Sequence, residues 1–177
     1  MKKLLFLFLI ILHPTFAYGL IQVDITRGNL DPLPIAVSPL HVDANSKNFK
    51  DIKVNKLGDK ISEIIEKNFK ATGLFNPLQK DSFVQKPDIA HLKPRFEDWR
   101  LIKAQALVTG KILVKDDKLK VEFRLWDLTA SKEMIALAFT TTPTNWRRVA
   151  HIISDKIYER LTGEEGYFDT RIIYVSE

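Results

Sequence analysis

Residues 106–140 read ALVTGKILVKDDKLKVEFRLWDLTASKEMIALAFT, and how this stretch folds decides the architecture. Ala106, Val108, Gly110, Ile112 and Val114 recur at every second position, and after the turn-forming KDDK so do Leu119, Val121, Phe123 and Leu125. A two-residue apolar period lays one face of an extended chain on a core, so the two runs are predicted to pair as a hairpin. Lys120, Glu122, Arg124 and Trp126 take the opposite face. A second turn at TASK leads into MIALAFT, a third strand.

Helical periods flank this sheet. From about Asp51, Val54, Leu57, Ile61, Ile64, Ile65 and Phe69 recur at three- and four-residue steps, with lysines and acids on the other side and Gly73 as the stop. Gly58 borders the apolar stripe, where a missing side chain would let the helix approach the sheet closely. Downstream, NWRRVAHIISDKIYERLT places Trp146, Val149, Ala150, Ile153, Ile157 and Leu161 on one face, with Asn145 expected to cap it and Gly163 to end it.

The run IAVSPL suits a strand near the sheet interior, and FNPL at 75–78 is expected to turn the chain back. Residues 79–94 read as an irregular connection, and Pro94 is expected to open a short helix carrying Phe96, Trp99 and Ile102 inward. The class is therefore α/β: a mixed β-sheet with two main helices packed on it.

Lys2 and Lys3 before the apolar run Leu4 to Leu12 read as a signal peptide, residues 1–19, with a core too short to span a bilayer. Ala17 and Gly19 are the small residues of a cleavage site between Gly19 and Leu20, cleavage after Ala17 being the second choice. Residues 20–33 form an extended arm, in which Ile21, Val23 and Ile25 alternate with Gln22, Asp24 and Thr26 before Gly28, Asn29, Asp31 and Pro32 break the pattern. Residues 34–162 make the α/β domain, and residues 163–177 a linker and one further strand, Ile172 to Val175, expected to be exposed or borrowed onto a sheet edge.

Without residues 1–19 the chain keeps 25 basic and 22 acidic side chains, a net +3 that needs no polyanion, and the helix interleaves the two signs. The absence of cysteine excludes disulfides, thiolate metal sites and a cysteine nucleophile. No glycine-rich phosphate loop, nucleophile elbow or H-E-x-x-H is present, so catalytic, cofactor and metal residues are none. His151 and Asp155 stand one helical turn apart, but with Arg148 and Glu159 they read as a polar stripe rather than half of a metal site. Tryptophan beside arginine in DWR and NWRR could stack on bases or rim a membrane; burial of the ring explains it better.

Several stretches together resemble the TolB family of the Tol-Pal envelope system: WRRVAHIISDKIYERLTGEEGYFDTRIIYVSE above all, with LPIAVSPL, GLFNPL and ALVTGKI in the family's order. The resemblance implies an anticodon-binding-like α/β domain used for protein contacts in the periplasm, not for nucleic acid. In complete members a six-bladed propeller follows, and this chain reads as truncated before it, 7 glycines in 177 residues being too few for propeller turns. The resemblance also implies that the arm, Gln22, Val23, Asp24, Ile25, Thr26, Arg27, Gly28, Asn29, Leu30 and Asp31, is what TolA binds, whereas Pal would be bound only through the propeller. A monomer peripheral to membranes is expected. The other readings are a stand-alone exported adaptor, a basic nucleic-acid-binding module and an unrecognised enzyme.

Overall fold

The computed structural model describes Ile21 and residues 31–170. Its strands are β1 (Leu33–Val37), β2 (His41–Val42), β3 (Phe75–Pro77), β4 (Ala106–Lys115), β5 (Lys118–Asp127) and β6 (Lys132–Thr141). Its helices are α1 (Leu57–Thr72), α2 (Pro87–Ala90), α3 (Phe96–Leu101) and α4 (Trp146–Thr162). The sheet runs β3-β1-β4-β5-β6, with β2 pairing β4 beyond the end of β1. β3, β1 and β4 are parallel, while β4, β5 and β6 form the expected antiparallel meander. The sheet is thus mixed, and the predicted class holds.

The apolar period of two settles which face is which. Ile35, Val37, Val108, Ile112, Leu119, Val121, Phe123 and Leu125 are buried in one core with Leu57, Ile61, Ile65 and Phe69 of α1 and Val149, Ile153, Ile157 and Leu161 of α4. Fully burying side chains of this kind is worth about 1.5–3 kcal/mol each, so this layer dominates the stability. The opposite face carries a smaller core of Ala36, Leu107, Trp126 and Leu128 beneath Ala90, Trp99 and Ala104. Short helices α2 and α3 supply that cover.

The close approach expected of Gly58 is real, but it is to the loop after β1. A Cβ on Gly58 would collide with the backbone oxygen of Leu40 and stand 3.0 Å from its carbonyl carbon. Leu40, 3% exposed, is gripped from the other side by Gly110, where a Cβ would meet Leu40 Cδ2 at 2.7 Å.

Four local expectations need correction. FNPL does not simply turn: Phe75–Pro77 is an edge strand in register with Leu33, Pro34 and Ile35. Proline is tolerated there because an edge strand has an unpaired side. Asn145 precedes α4 but donates its side-chain N–H to Thr141 Oγ1 (3.1 Å), and a 3-10 turn, Pro143–Asn145, leads into the helix instead of a side-chain cap. Pro94 stands two residues ahead of Phe96, with Arg95 at the cap position. Within 79–94 the connection also contains a 3-10 turn, Lys80–Ser82, and α2.

After β2 the chain is held by Asp43, whose carboxylate takes the Asn45 N–H (2.8 Å) and the Lys111 ammonium (2.7 Å). The Lys111 ammonium first, then the Asn45 N–H, hold the Asp43 carboxyl down at about 2. A depressed carboxyl adds stability that is complete above its unfolded value near 3.8 and is lost as pH falls from there through about 2. Lys111→Met should return the Asp43 titration, followed by carbon-detected NMR, toward the ordinary carboxylate range. An unchanged midpoint would refute the assignment.

Candidate functional site: the root of the arm

Of the residues that the sequence analysis assigned to the arm and the cleavage site, Gln22, Val23, Asp24, Ile25, Thr26, Arg27, Gly28, Asn29 and Leu30, with Gly19 and Leu20, lie outside the described residues. The strand at Ile172 to Val175 lies outside them too. Asp31 and Pro32 are described, and both are exposed where the chain enters β1.

That entry is at one end of the sheet. Ile35 is level with Ala106, Ala106 with Asp127, and Asp127 with Lys132, so the first residues of β1 and β4 and the last of β5 share an edge. Ile21 meets the domain at this same edge. Its side chain packs on the larger core and its N–H donates to Asp127 Oδ2 at 3.0 Å. Asp127 is fully buried, and its Oδ1 accepts the Ala130 N–H at 2.8 Å, which closes the turn into β6. Ile21 and the entry to β1 therefore lie at the same end of the sheet. Sequence reasoning missed Asp127, because an aspartate before a turn is common and a contact across 106 positions leaves no local signal.

The polar stripe of α4 has a structural task. Both Asp155 oxygens are taken by backbone N–H groups, of Phe168 (2.7 Å) and Asp169 (3.1 Å), and Arg148 Nε pairs with Asp169 at 3.0 Å. His151 Nδ1 meets Asn68 Nδ2 of α1 at 3.0 Å. Tyr167 and Phe168 both pack edge to face on Tyr158, so the residues read as a linker after Gly163 fold back along α4 as far as Asp169. Trp99 is buried at 1% exposure, while Trp146 is half-buried beneath the Arg147 guanidinium, 4.4 Å from its ring centre.

The exposed side of the smaller layer has its own character. Val84, Ile89, Leu92 and Leu101 are all at least half exposed, though Val84, Ile89 and Leu101 each neighbour a residue turned into the core. At its inner margin the rings of His41 and His91 stack 4.4 Å apart and 5° from parallel. Burial, then His91, lowers the His41 basicity. Among the described residues no three histidine, aspartate or glutamate side chains are grouped to hold a metal, and no helix is long and apolar enough to cross a membrane.

Residues 21–134 match the family model of the TolB amino-terminal domain. Over its whole length the chain is 67% identical to the Tol-Pal system protein TolB of Pelagibacter ubique (strain HTCC1062), and it spans 40% of that relative. The crystal structure of TolB from Acinetobacter baumannii shares the fold, with a TM-score of 0.61 at 22% identity over 78% of this chain and 30% of that one. The LpoB C-terminal domain from Salmonella enterica is a looser likeness, with a TM-score of 0.44 at 9% identity over 65% of this chain and 86% of that one. With a family model matching residues 21–134 as the amino-terminal domain and 67% identity along the whole length, the chain belongs to the TolB family.

Proposed function

We propose that the domain serves the Tol-Pal system in the periplasm as a protein-protein adaptor with no catalytic role, supporting outer-membrane integrity and constriction during cell division. The 67% identity to a Tol-Pal TolB along the whole chain carries this reading. The partner-binding element is the arm, Gln22 to Asp31, and the partner is TolA. An alternating extended segment can add as a strand to the sheet edge of another protein, main-chain hydrogen bonds giving affinity and every second side chain giving specificity. The exposed exit at Asp31 and Pro32 leaves room for that engagement. Pal is assigned to the propeller of the family's longer members, outside these 177 residues. The signal peptide, residues 1–19, directs export.

Deleting residues 20–31 tests the assignment. The chain beginning at Leu20 should bind the purified C-terminal domain of TolA, and the deleted chain should lose at least tenfold in affinity by calorimetry. Equal affinity in both would remove the arm from the interface.

A further inference from the structure

The connection that covers the smaller core turns a second set of side chains outward. Gln85, Ala90 and His91 are buried and Ile102 packs on the core, whereas their neighbours Val84, Ile89, Leu92 and Leu101 are between 52% and 80% exposed. Aliphatic side chains gain free energy on leaving water, so this is an apolar surface that the domain itself leaves uncovered. Lysines accompany it. Lys86, Lys93 and Lys103 are exposed, each within two positions of one of the four, and among the described residues none of them is in an ion pair. Lys103 is held at φ of 61°, a left-handed backbone that costs a lysine more than a glycine or asparagine. The two arginines of the connection are engaged, Arg95 with Asp98 and Arg100 with Leu128 O and Ser131 Oγ. From Val84 to Lys103 five basic side chains outnumber three acids, Asp88, Glu97 and Asp98, a net +2 out of the +3 of the chain after residue 19.

The composition decides between two kinds of partner. Protein interfaces are enriched in aromatic residues and arginine and depleted of lysine. This surface is the reverse, with four aliphatic side chains, three unpaired lysines and no exposed aromatic ring between Val84 and Lys103. The cleft of about 430 Å³ beside α3 includes none of the four apolar side chains, so they do not line a groove there. A bilayer needs no groove: its interface takes separate aliphatic side chains among the headgroups, and lysine ammonium groups beside the lipid phosphates.

We propose that the surface formed by Val84, Ile89, Leu92 and Leu101 with Lys86, Lys93 and Lys103 binds the interface of an anionic phospholipid bilayer. The contact is peripheral, since among the described residues no helix is long and apolar enough to cross a membrane. It lies on the face of the sheet opposite the core on which Ile21 packs, so a lipid-bound domain leaves the root of the arm uncovered. The lipid surface goes beyond the TolA assignment and does not rest on it.

The test mixes the chain beginning at Leu20, which lacks the apolar run Leu4 to Leu12, with vesicles of phosphatidylethanolamine and phosphatidylglycerol, and with vesicles of phosphatidylcholine alone. Co-sedimentation reads the bound fraction. Binding to the anionic vesicles should be at least about tenfold tighter, each lysine contributing roughly fivefold, and should fall about tenfold in roughly 1 M salt. Lys86→Gln, Lys93→Gln and Lys103→Gln together should reduce it to the level of the neutral vesicles. Leu92→Ser with Leu101→Ser should lower it about tenfold at unchanged charge. All five substituted side chains are exposed, so the variants should keep the parent melting temperature. Equal binding to both kinds of vesicle, or binding that salt does not weaken, overturns the proposal on the unaltered chain alone. Loss in only one of the two variants overturns it as well, since lipid contact of this kind needs both the charges and the apolar side chains. Absence of vesicle binding, with NMR shifts at Leu92 and Leu101 on adding the TolA C-terminal domain, would give the surface to a protein partner instead.

Discussion

Gly58→Val is expected to lower the stability by about 3–4 kcal/mol, near the upper range of overpacking substitutions. The obstacle is backbone: an added Cβ would overlap the carbonyl oxygen of Leu40, which no rotamer change can move. Relief would require α1 to lift from the β1 exit, and Leu40 cannot follow because its Cδ2 already lies against Gly110. A native domain holds only about 5–15 kcal/mol in total. The melting temperature should therefore fall by roughly 10 °C at this chain length. Gly73→Ala is the informative comparison. Gly73 ends α1 with φ of 70° and nothing near its Cβ position, so only the left-handed backbone is penalised, about 1–2 kcal/mol. Equal losses at the two glycines would show that packing against Leu40 is not what requires Gly58.

Trp99→Ala should cost about 3–5 kcal/mol, the range for deleting a buried aromatic. Trp99 is the largest fully buried side chain of the smaller core, edge-on to Phe83 at 5.0 Å. Its Nε1–H donates to Gln85 Oε1 at 3.0 Å, and the same oxygen takes the Arg95 N–H at 2.9 Å. Gln85 is itself 3% exposed, so Gln85→Ala strands two donors, costing about 2–3 kcal/mol since each orphaned buried group costs roughly 1–3. The two changes share one hydrogen bond, and the double variant should lose less than the sum. Chemical denaturation of the three variants reads this directly. Strict additivity would mean that Gln85 does not satisfy the indole.

The sheet was legible because its signal is local. A hairpin needs only period two and a turn, and both are contained in residues 106–140. Helices α1 and α4 were legible for the same reason, their apolar faces recurring with the helical period. What escaped depends on partners distant in sequence. Phe75–Pro77 is a strand because β1 offers it an edge, not because its three residues favour extension. Residues 164–169 carry no periodic pattern and are placed by Asp155 and Arg148. Buried Gln85 looked like a loop residue, and its role comes from the Trp99 indole and the Arg95 N–H that it accepts, 14 and 10 positions away. At the arm the alternation of side chains was readable, whereas the anchor at Asp127 was not: one hydrogen bond joins positions 106 apart.

We propose that partner recognition belongs to the arm and that the α/β domain carries it. Titrating the isotope-labelled chain beginning at Leu20 with the TolA C-terminal domain, and following every backbone amide by NMR, tests this most directly. Shifts should concentrate between residues 21 and 31 and at Asp127 and Ala130, where Ile21 meets the domain, with the faces of α1 and α4 unmoved. Shifts centred instead on the exposed Val84, Ile89, Leu92 and Leu101, with residues 21–31 unperturbed, would contradict it.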